Sequence, residues 1–456
     1  MSTSMSTRAE IVICGAGVAG VSAAYHLVVR RGVRNVVLVD ERPPLSLTSA
    51  YGTEAYRNWW PDLPMFRFVS RSIDLLEEVA AESGNAIRMN RRGYVFLTGD
   101  RRRVPKLKEE AAVVAGLGGG YLRIHRDGGS YVPSQPEGLQ PDLTGADLVM
   151  DTETIRRLYP FLTDNTATML HVRRCGWMDV PSLGRWMLDR IASGGGRIVR
   201  GKITGVDTKN NRITGVRLES GTVLETGKLV LAAGPLVGEA GRLLDLDIPV
   251  FMELHGKIIV EDTAGVLPPD APMLIWTDPV ELVWDEEERR RLSSSSDTRY
   301  LVEPFPAGLH IRPRFRDGKQ TFLGIWTYDV APREAVFPLV FDPAYPVIVL
   351  RGLARMIPGM RAYFDTSDAL PVDGGYYCKT PDNRPLIGPL PVEGAYIAGA
   401  LSGYGVMGSQ AAGELVAAHV TGASLPDYAQ SFSFNRFEGL SDADMAGMRS
   451  ATSGQL

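Results

Sequence analysis

The stretch Ile11 to Asp40, IVICGAGVAGVSAAYHLVVRRGVRNVVLVD, constrains this chain more than any other. It opens on a short apolar run, Ile11-Val12-Ile13-Cys14, whose β-branched and small residues suit a buried parallel strand. Gly15, Gly17 and Gly20 follow in G-x-G-x-x-G spacing, then a helical segment carrying Val21, Ala24, Leu27 and Val28. A second apolar strand, Val36 to Val39, ends in Asp40-Glu41. The three glycines have separate physical tasks. Gly15 makes the tight strand-to-helix turn, Gly17 lets a pyrophosphate reach bare backbone, and Gly20 lets the helix lie close on the strand. Val18 and Ala19 open the helix, where free N–H groups and a partial positive charge favour phosphate. Asp40 or Glu41, with Arg42 beside them, can bind the ribose hydroxyls. Strand, turn, helix, strand and terminal acid in this order specify a dinucleotide-binding βαβ unit in an α/β fold.

A chain of 456 residues favours more than one packed unit. Its 44% hydrophobic and 22% charged content is ordinary for a globular enzyme, and a net charge of −4 argues against nucleic acid as the main partner. No apolar run is long enough to span a bilayer. MSTSMSTRAE lacks an apolar signal core, and Cys14, Cys175 and Cys378 are odd in number and far apart, so a reduced, cytoplasmic setting is expected. The six histidines form no H-x-x-x-H pair, and no metal is expected.

Leu47 to Asp62, LTSAYGTEAYRNWWPD, is too polar and glycine-broken for a core strand, yet carries Tyr51, Tyr56, Trp59 and Trp60. Rings so dense in a loop read as the wall or lid of a site, or as a loop packing on its own domain. Met65 to Ala81 and Ser182 to Ser193 show helical spacing. Arg197 to Val199, Ile213 to Leu218, Val223-Leu224 and Leu229 to Ala233 read as a β-meander. Its end, Ala232-Ala233-Gly234, is small enough to return beside the first glycine turn. Residues 249 to 362 are mixed, with Glu253, His255 and Lys257 on one face of a strand. Asp285 to Ser296, DEEERRRLSSSS, reads as an exposed excursion. Near the C-terminus, Ala395 to Ala398 leads into Gly399, Gly403, Gly405 and Gly408 and a helix from Val406 to Ala418. Such a helix N-terminus can face a flat ring that becomes anionic on reduction. One pyrophosphate turn and one ring-facing turn point to FAD alone.

Four motifs carry a family resemblance: GAGVAG with Asp40, Ala232-Ala233-Gly234, Thr380-Pro381-Asp382 with Pro385-Leu386-Ile387-Gly388, and SGYGVMGSQAAGELVA. In these the chain resembles the D-amino-acid oxidase/sarcosine oxidase family of FAD-dependent amine oxidoreductases. The resemblance implies an α/β architecture with a Rossmann-type FAD-binding domain and a second α+β substrate domain built on a mostly antiparallel sheet. The FAD-binding parts fall at 8–88, 175–248 and 366–425, the substrate parts at 89–174 and 249–365, and a tail at 426–456. Beyond the glycine turn and Asp40, the implied cofactor contacts are Ser49, Ala50, Thr53, Ile203, Ala232, Ala233, Gly234, Gly399, Gly403, Tyr404, Gly405, Val406 and Met407. The implied reaction takes an amine to an imine by hydride transfer to the flavin. Electrons would then pass to O2 or to an acceptor protein or quinone. A 2-hydroxy-acid dehydrogenase and a flavoprotein subunit of a larger complex are the competing functions.

Departures from the family pattern shape further expectations. Gly375 stands where some relatives tether FAD through a cysteine, so the flavin is expected to be non-covalent. Met407 replaces a lysine that sarcosine-type members use for the substrate carboxylate. Phe322 falls near their oxygen-activating lysine. Glu54 occupies a basic position, with Arg57 three residues later. The candidate catalytic residues are His310, Lys257 and His255, and the candidate substrate contacts are Tyr51, Glu54, Arg57, Trp60, Tyr377 and Met407. Glu54 and the aromatic loop together favour an amine without an α-carboxylate, unless Arg57 serves as a relocated carboxylate clamp.

Overall fold

The first apolar run becomes the centre of a parallel sheet because neighbours bury both of its faces. In the computed structural model, which describes residues 8–126 and 129–451, Ile11–Cys14 pairs in parallel with Val36–Asp40 on one side and Leu229–Leu231 on the other. The six strands run in the order Arg197–Arg200, Val36–Asp40, Ile11–Cys14, Leu229–Leu231, Ala395–Gly399 and Leu386–Pro389, with only the last antiparallel. Alternation divides these residues between two cores. Ile11, Ile13, Val36 and Leu38 pack with the helices Val18–Tyr25, Leu63–Glu82 and Gly405–Thr421. Val12, Val37 and Val39 face Ile213, Val216 and Leu224 on the other side.

The meander is shorter than the sequence predicts. Ile203–Lys209, Arg212–Leu218 and Val223–Glu225 form a three-stranded antiparallel sheet, while Arg197–Arg200 and Leu229–Leu231 join the parallel one. Leu229-Val230-Leu231 is apolar at every position and buried on both faces, which a half-exposed meander strand is not.

Above lies a nine-stranded sheet, ordered Val372–Lys379, Phe251–Glu261, Lys319–Trp326, Leu309–Arg316, Met273–Trp276, Tyr94–Thr98, Thr168–Val172, Ala146–Val149 and Leu122–His125. All neighbours are antiparallel except Met273–Trp276 with Tyr94–Thr98 and Leu122–His125 with Ala146–Val149. Its outer face buries Ile258, Val260, Leu309, Ile311 and Phe322 against Ile348, Val349 and Leu353 of the helix Tyr345–Met356. The inner face forms a roof toward the parallel sheet. Val372–Lys379 lies within the stretch 366–425, yet it pairs with Phe251–Glu261 and so belongs to this roof. The aromatic loop contains a short strand, Ala55–Arg57, paired with Cys175–Trp177. Tyr56 within it is fully buried, and its hydroxyl donates to the Asn90 carbonyl at 2.6 Å. That ring is packing, not wall.

Candidate active site

A cleft opens at the ends of the parallel strands, beside the first glycine turn. Gly15, Gly17, Val18, Ala19, Asp40, Ser49, Ala232, Ala233, Gly234, Gly399 and Gly405 line it, all of them expected from the sequence. The structure adds Thr48, Pro235, Tyr376, Cys378 and Ser402. Two of the three motif glycines are demanded by the protein itself. Gly15 sits at φ +108°, with no space for a Cβ beside the Ala232 carbonyl, and a Cβ on Gly20 would strike the Gly15 carbonyl. Gly17 differs. A Cβ there meets only the Ser49 hydroxyl, at 3.3 Å, so its missing side chain leaves room in the cleft. The Asp40 carboxylate is aimed by two backbone donors, Ala16 N–H and Arg42 N–H, each at 2.8 Å. The Ser49 hydroxyl accepts from Val18 N–H at 3.0 Å and keeps its own proton for an anion. Small residues, a helix N-terminus and an oriented acid fit an FAD pyrophosphate and ribose.

The remaining expected cofactor residues lie outside the lining of this cleft. Glu41 is exposed and paired with Arg42, whose guanidinium stacks on Phe337 at 5.6 Å. Ile203 is buried in the meander core, and Ala50 is exposed. Thr53 offers its carbonyl to Arg312, and the Tyr404 hydroxyl donates to the Asn383 carbonyl at 2.7 Å. Gly403 and Val406 sit beside the cleft at the start of the helix Gly405–Thr421, and Met407 is buried in the core beneath it. A Cβ on Gly375 would come within 2.8 Å of the Thr48 hydroxyl, so a tethering side chain there has no space. FAD is accordingly expected to leave with acid or heat. Flavin absorbance remaining on the precipitated polypeptide would contradict this.

The roof's inner face brings the other candidates together, and strand alternation selects them. Along Leu309–Arg316, Leu309 and Ile311 point into the outer core, which leaves His310, Arg312 and Arg314 on the inner side. His310 Nδ1 donates to the Gly308 carbonyl at 2.5 Å. Burial lowers its pKa to about 4, so the ring is neutral, with Nε2 as an acceptor. Arg312 is 1% exposed. Its Nε and Nη2 donate to the Thr53 carbonyl at 3.1 and 2.8 Å, and Nη2 also donates to Glu54 Oε2 at 3.0 Å. Burial lowers its pKa to about 10, against the pull of Glu54. Arg314 lies 3.8 Å from the same Glu54 oxygen. Arg57 is buried with its guanidinium 4.9 Å above the Trp60 ring, and Trp60 meets Tyr404 edge-on. The sequence reading missed Arg312 and Arg314, although the alternation H-x-R-x-R was visible.

Lys257 and His255 are engaged elsewhere. The Lys257 ammonium donates to the Tyr51 carbonyl at 2.6 Å and pairs with Asp373, while burial lowers its pKa. His255 uses both ring nitrogens, toward Glu253 at 2.9 Å and Thr327 at 2.9 Å, and stacks on Tyr377 with centroids 3.7 Å apart. Lys379 closes this cluster on Glu253 at 2.7 Å. Lys257 thus pins the Tyr51 loop, and His255 supports the Tyr377 ring. Glu54, expected to meet an ammonium, instead neutralises arginines. Phe322 is buried under the outer helix, away from the cleft.

A pyrophosphate turn with an oriented ribose acid, set beneath an antiparallel roof with a polar inner face, defines a two-lobed flavin enzyme. The chain belongs to the DAO family of FAD dependent oxidoreductases, whose model matches residues 10–419. It is 23% identical over 419 residues to mitochondrial dimethylglycine dehydrogenase of Mus musculus, covering 90% of this chain and 42% of that protein. The chain thus spans less than half the length of that relative. Its fold is shared with L-proline dehydrogenase from P. horikoshii, at TM-score 0.71 and 22% identity over 94% of this chain and 98% of that one. Glycine oxidase from Geobacillus kaustophilus also has TM-score 0.71, with 16% identity, over 95% of this chain and 100% of that one. Among the described residues no helix is long and apolar enough to cross a membrane, and no cluster of side chains could hold a metal ion.

Proposed function

We propose that the chain oxidises the C–N bond of a carboxylate-bearing amine, an amino acid or N-alkyl amino acid, to the imine. The observation that carries this reading is the charge of the roof. Arg312 and Arg314 share the single carboxylate of Glu54, and Arg57 lies in the facing loop, so the inner face is cationic. This reverses the expectation from sequence of an amine lacking an α-carboxylate, because the acid that was to hold an ammonium is already paired. A buried guanidinium at about 4 Å attracts a carboxylate by roughly 4 kcal/mol at an effective dielectric near 20. The same positive field disfavours a nearby ammonium and lowers its pKa, which supplies the neutral amine that hydride loss requires. The compounds in the names of the relatives, dimethylglycine, proline and glycine, are all amino acids, in keeping with this reading.

Bound FAD supplies the hydride acceptor. The chain's residues do the rest by position. Arg57 anchors the substrate carboxylate, held flat by the Trp60 indole. His310, neutral and fixed by Gly308, offers Nε2 to an amine N–H without charging it. Tyr377, braced by His255, walls the other side. The C–H leaves with its electron pair, the amine proton goes to water, and hydrolysis of the imine yields a carbonyl compound and an amine or ammonia. The test is anaerobic flavin bleaching by matched pairs of amine, amino acid and 2-hydroxy acid. The amino acids should reduce the flavin fastest, and Arg57→Met should raise their KM at least tenfold. Faster reduction by simple amines or hydroxy acids would reject the reading. Air or a quinone added to the reduced enzyme then identifies the acceptor.

A further inference from the structure

Glu54 presents a carboxylate where a ligand's would be expected. Its Oε2 lies 3.0 Å from Arg312 Nη2 and 3.8 Å from Arg314 Nη2, on the same inner face as His310. The two side chains of the closer pair are 14% and 1% exposed, so the carboxylate is largely removed from water. The backbone reaches this position at a cost. Glu54 has φ +60°, a left-handed conformation unfavourable for any side chain other than glycine, asparagine or aspartate. It follows the Tyr51-Gly52 bend and precedes the strand Ala55–Arg57, and Arg312 secures the segment after the bend by its two bonds to the Thr53 carbonyl. Strain kept at such a point needs interactions to hold it, and here the ion pair acts with the Met178 N–H that donates to the Glu54 carbonyl at 3.0 Å. Nearby, Lys257 is balanced by Asp373 and adds no net charge. Arg57, three residues on and stacked on Trp60, serves a different position.

We propose that Glu54 is an internal counter-anion occupying a second carboxylate subsite, formed by Arg312 and Arg314, and that it restricts the enzyme to substrates with one carboxylate. This rests on the reading of Arg57 as the anchor for the first. A dicarboxylic amine would have to displace a covalently tethered carboxylate whose local concentration is high. Removing Glu54 leaves a buried guanidinium without its anion, a state that recruits one from solution.

The experiment uses the FAD-loaded enzyme with Glu54→Gly and Glu54→Gln. Glycine suits φ +60°, so the first variant keeps the bend while emptying the subsite. Glutamine keeps the volume and blocks it. Thermal unfolding of Glu54→Gly should shift upward with acetate at constant ionic strength, whereas wild type and Glu54→Gln should not respond. The ratio of kcat/KM for iminodiacetate over glycine should rise at least tenfold in Glu54→Gly alone. No acetate response in Glu54→Gly removes the subsite. An acetate response with an unchanged ratio removes its role in specificity, as does a wild type that uses both compounds equally. If the wild-type flavin is reduced by no amino acid, the proposed reaction fails, while the acetate arm still decides whether the subsite exists.

Discussion

Gly17→Val is expected to yield a folded chain that no longer holds FAD. Of the three glycines in the turn, only this one leaves its missing side chain pointing into open cleft. A Cβ there meets the Ser49 hydroxyl at 3.3 Å and nothing else within 4 Å, so the added side chain presses on a movable hydroxyl and not on backbone. The pyrophosphate does not, because its approach to the backbone of the helix N-terminus is what the glycine permits. Gly15→Val and Gly20→Val serve as contrasts. Both drive a side chain into backbone carbonyls, of Ala232 and Gly15, and should lower the unfolding temperature of the apoprotein itself. The expected result for Gly17→Val is a normal apoprotein melting curve with flavin-to-protein absorbance near zero after desalting. Stoichiometric flavin in that variant would remove the assignment of the cleft.

The second large effect falls on a residue far from the glycine turn. Arg312→Met breaks a buried ion pair and leaves the Glu54 carboxylate, 14% exposed, without its closest cation. Breaking such a pair from one side costs about 3–5 kcal/mol, since the surviving charge stays buried. The loss also frees the Thr53 carbonyl, and with it the loop that carries Ser49 to the cofactor and Arg57 to the substrate. Displacement by about 1 Å at a reacting centre lowers turnover on the order of a hundredfold. Arg312→Met is therefore expected to unfold earlier in denaturant and to lose about that factor in kcat/KM. Adding Glu54→Gln should restore part of the stability by removing the stranded charge. An Arg312→Met enzyme as stable as wild type, or a double variant weaker than the single one, would show that the pair holds nothing.

The contrast between these residues separates two kinds of information. The cofactor turn is legible in one dimension because its parts are local. The strand, three glycines, helix start and acid lie within Ile11 to Asp40, and the turn geometry and phosphate approach that call for them are local, with the Ala232 carbonyl beside Gly15 added by the fold. The same holds for the glycine-rich start of the helix Gly405–Thr421, whose small residues mark close approach, whereas the strand Leu229–Leu231 was legible as a strand but not as a member of the parallel sheet. The antiparallel roof and His310 were expected from the family resemblance, and strand alternation alone did not say which face of that strand points inward.

Only the tertiary structure decided what the charged residues do. Glu54 reads alone as an acid facing substrate, but its partner Arg312 lies 258 residues away. Lys257 reads as a candidate base until Tyr51, 206 residues earlier, and Asp373, 116 residues later, accept hydrogen bonds from its ammonium. His255 is occupied by Glu253 beside it and braced beneath Tyr377, a contact made only when Phe251–Glu261 and Val372–Lys379 pair. A side chain's packing shape is set by its own atoms and near neighbours. Its charge state and availability depend on which distant groups desolvate or neutralise it, and strand pairing between remote segments sets those distances.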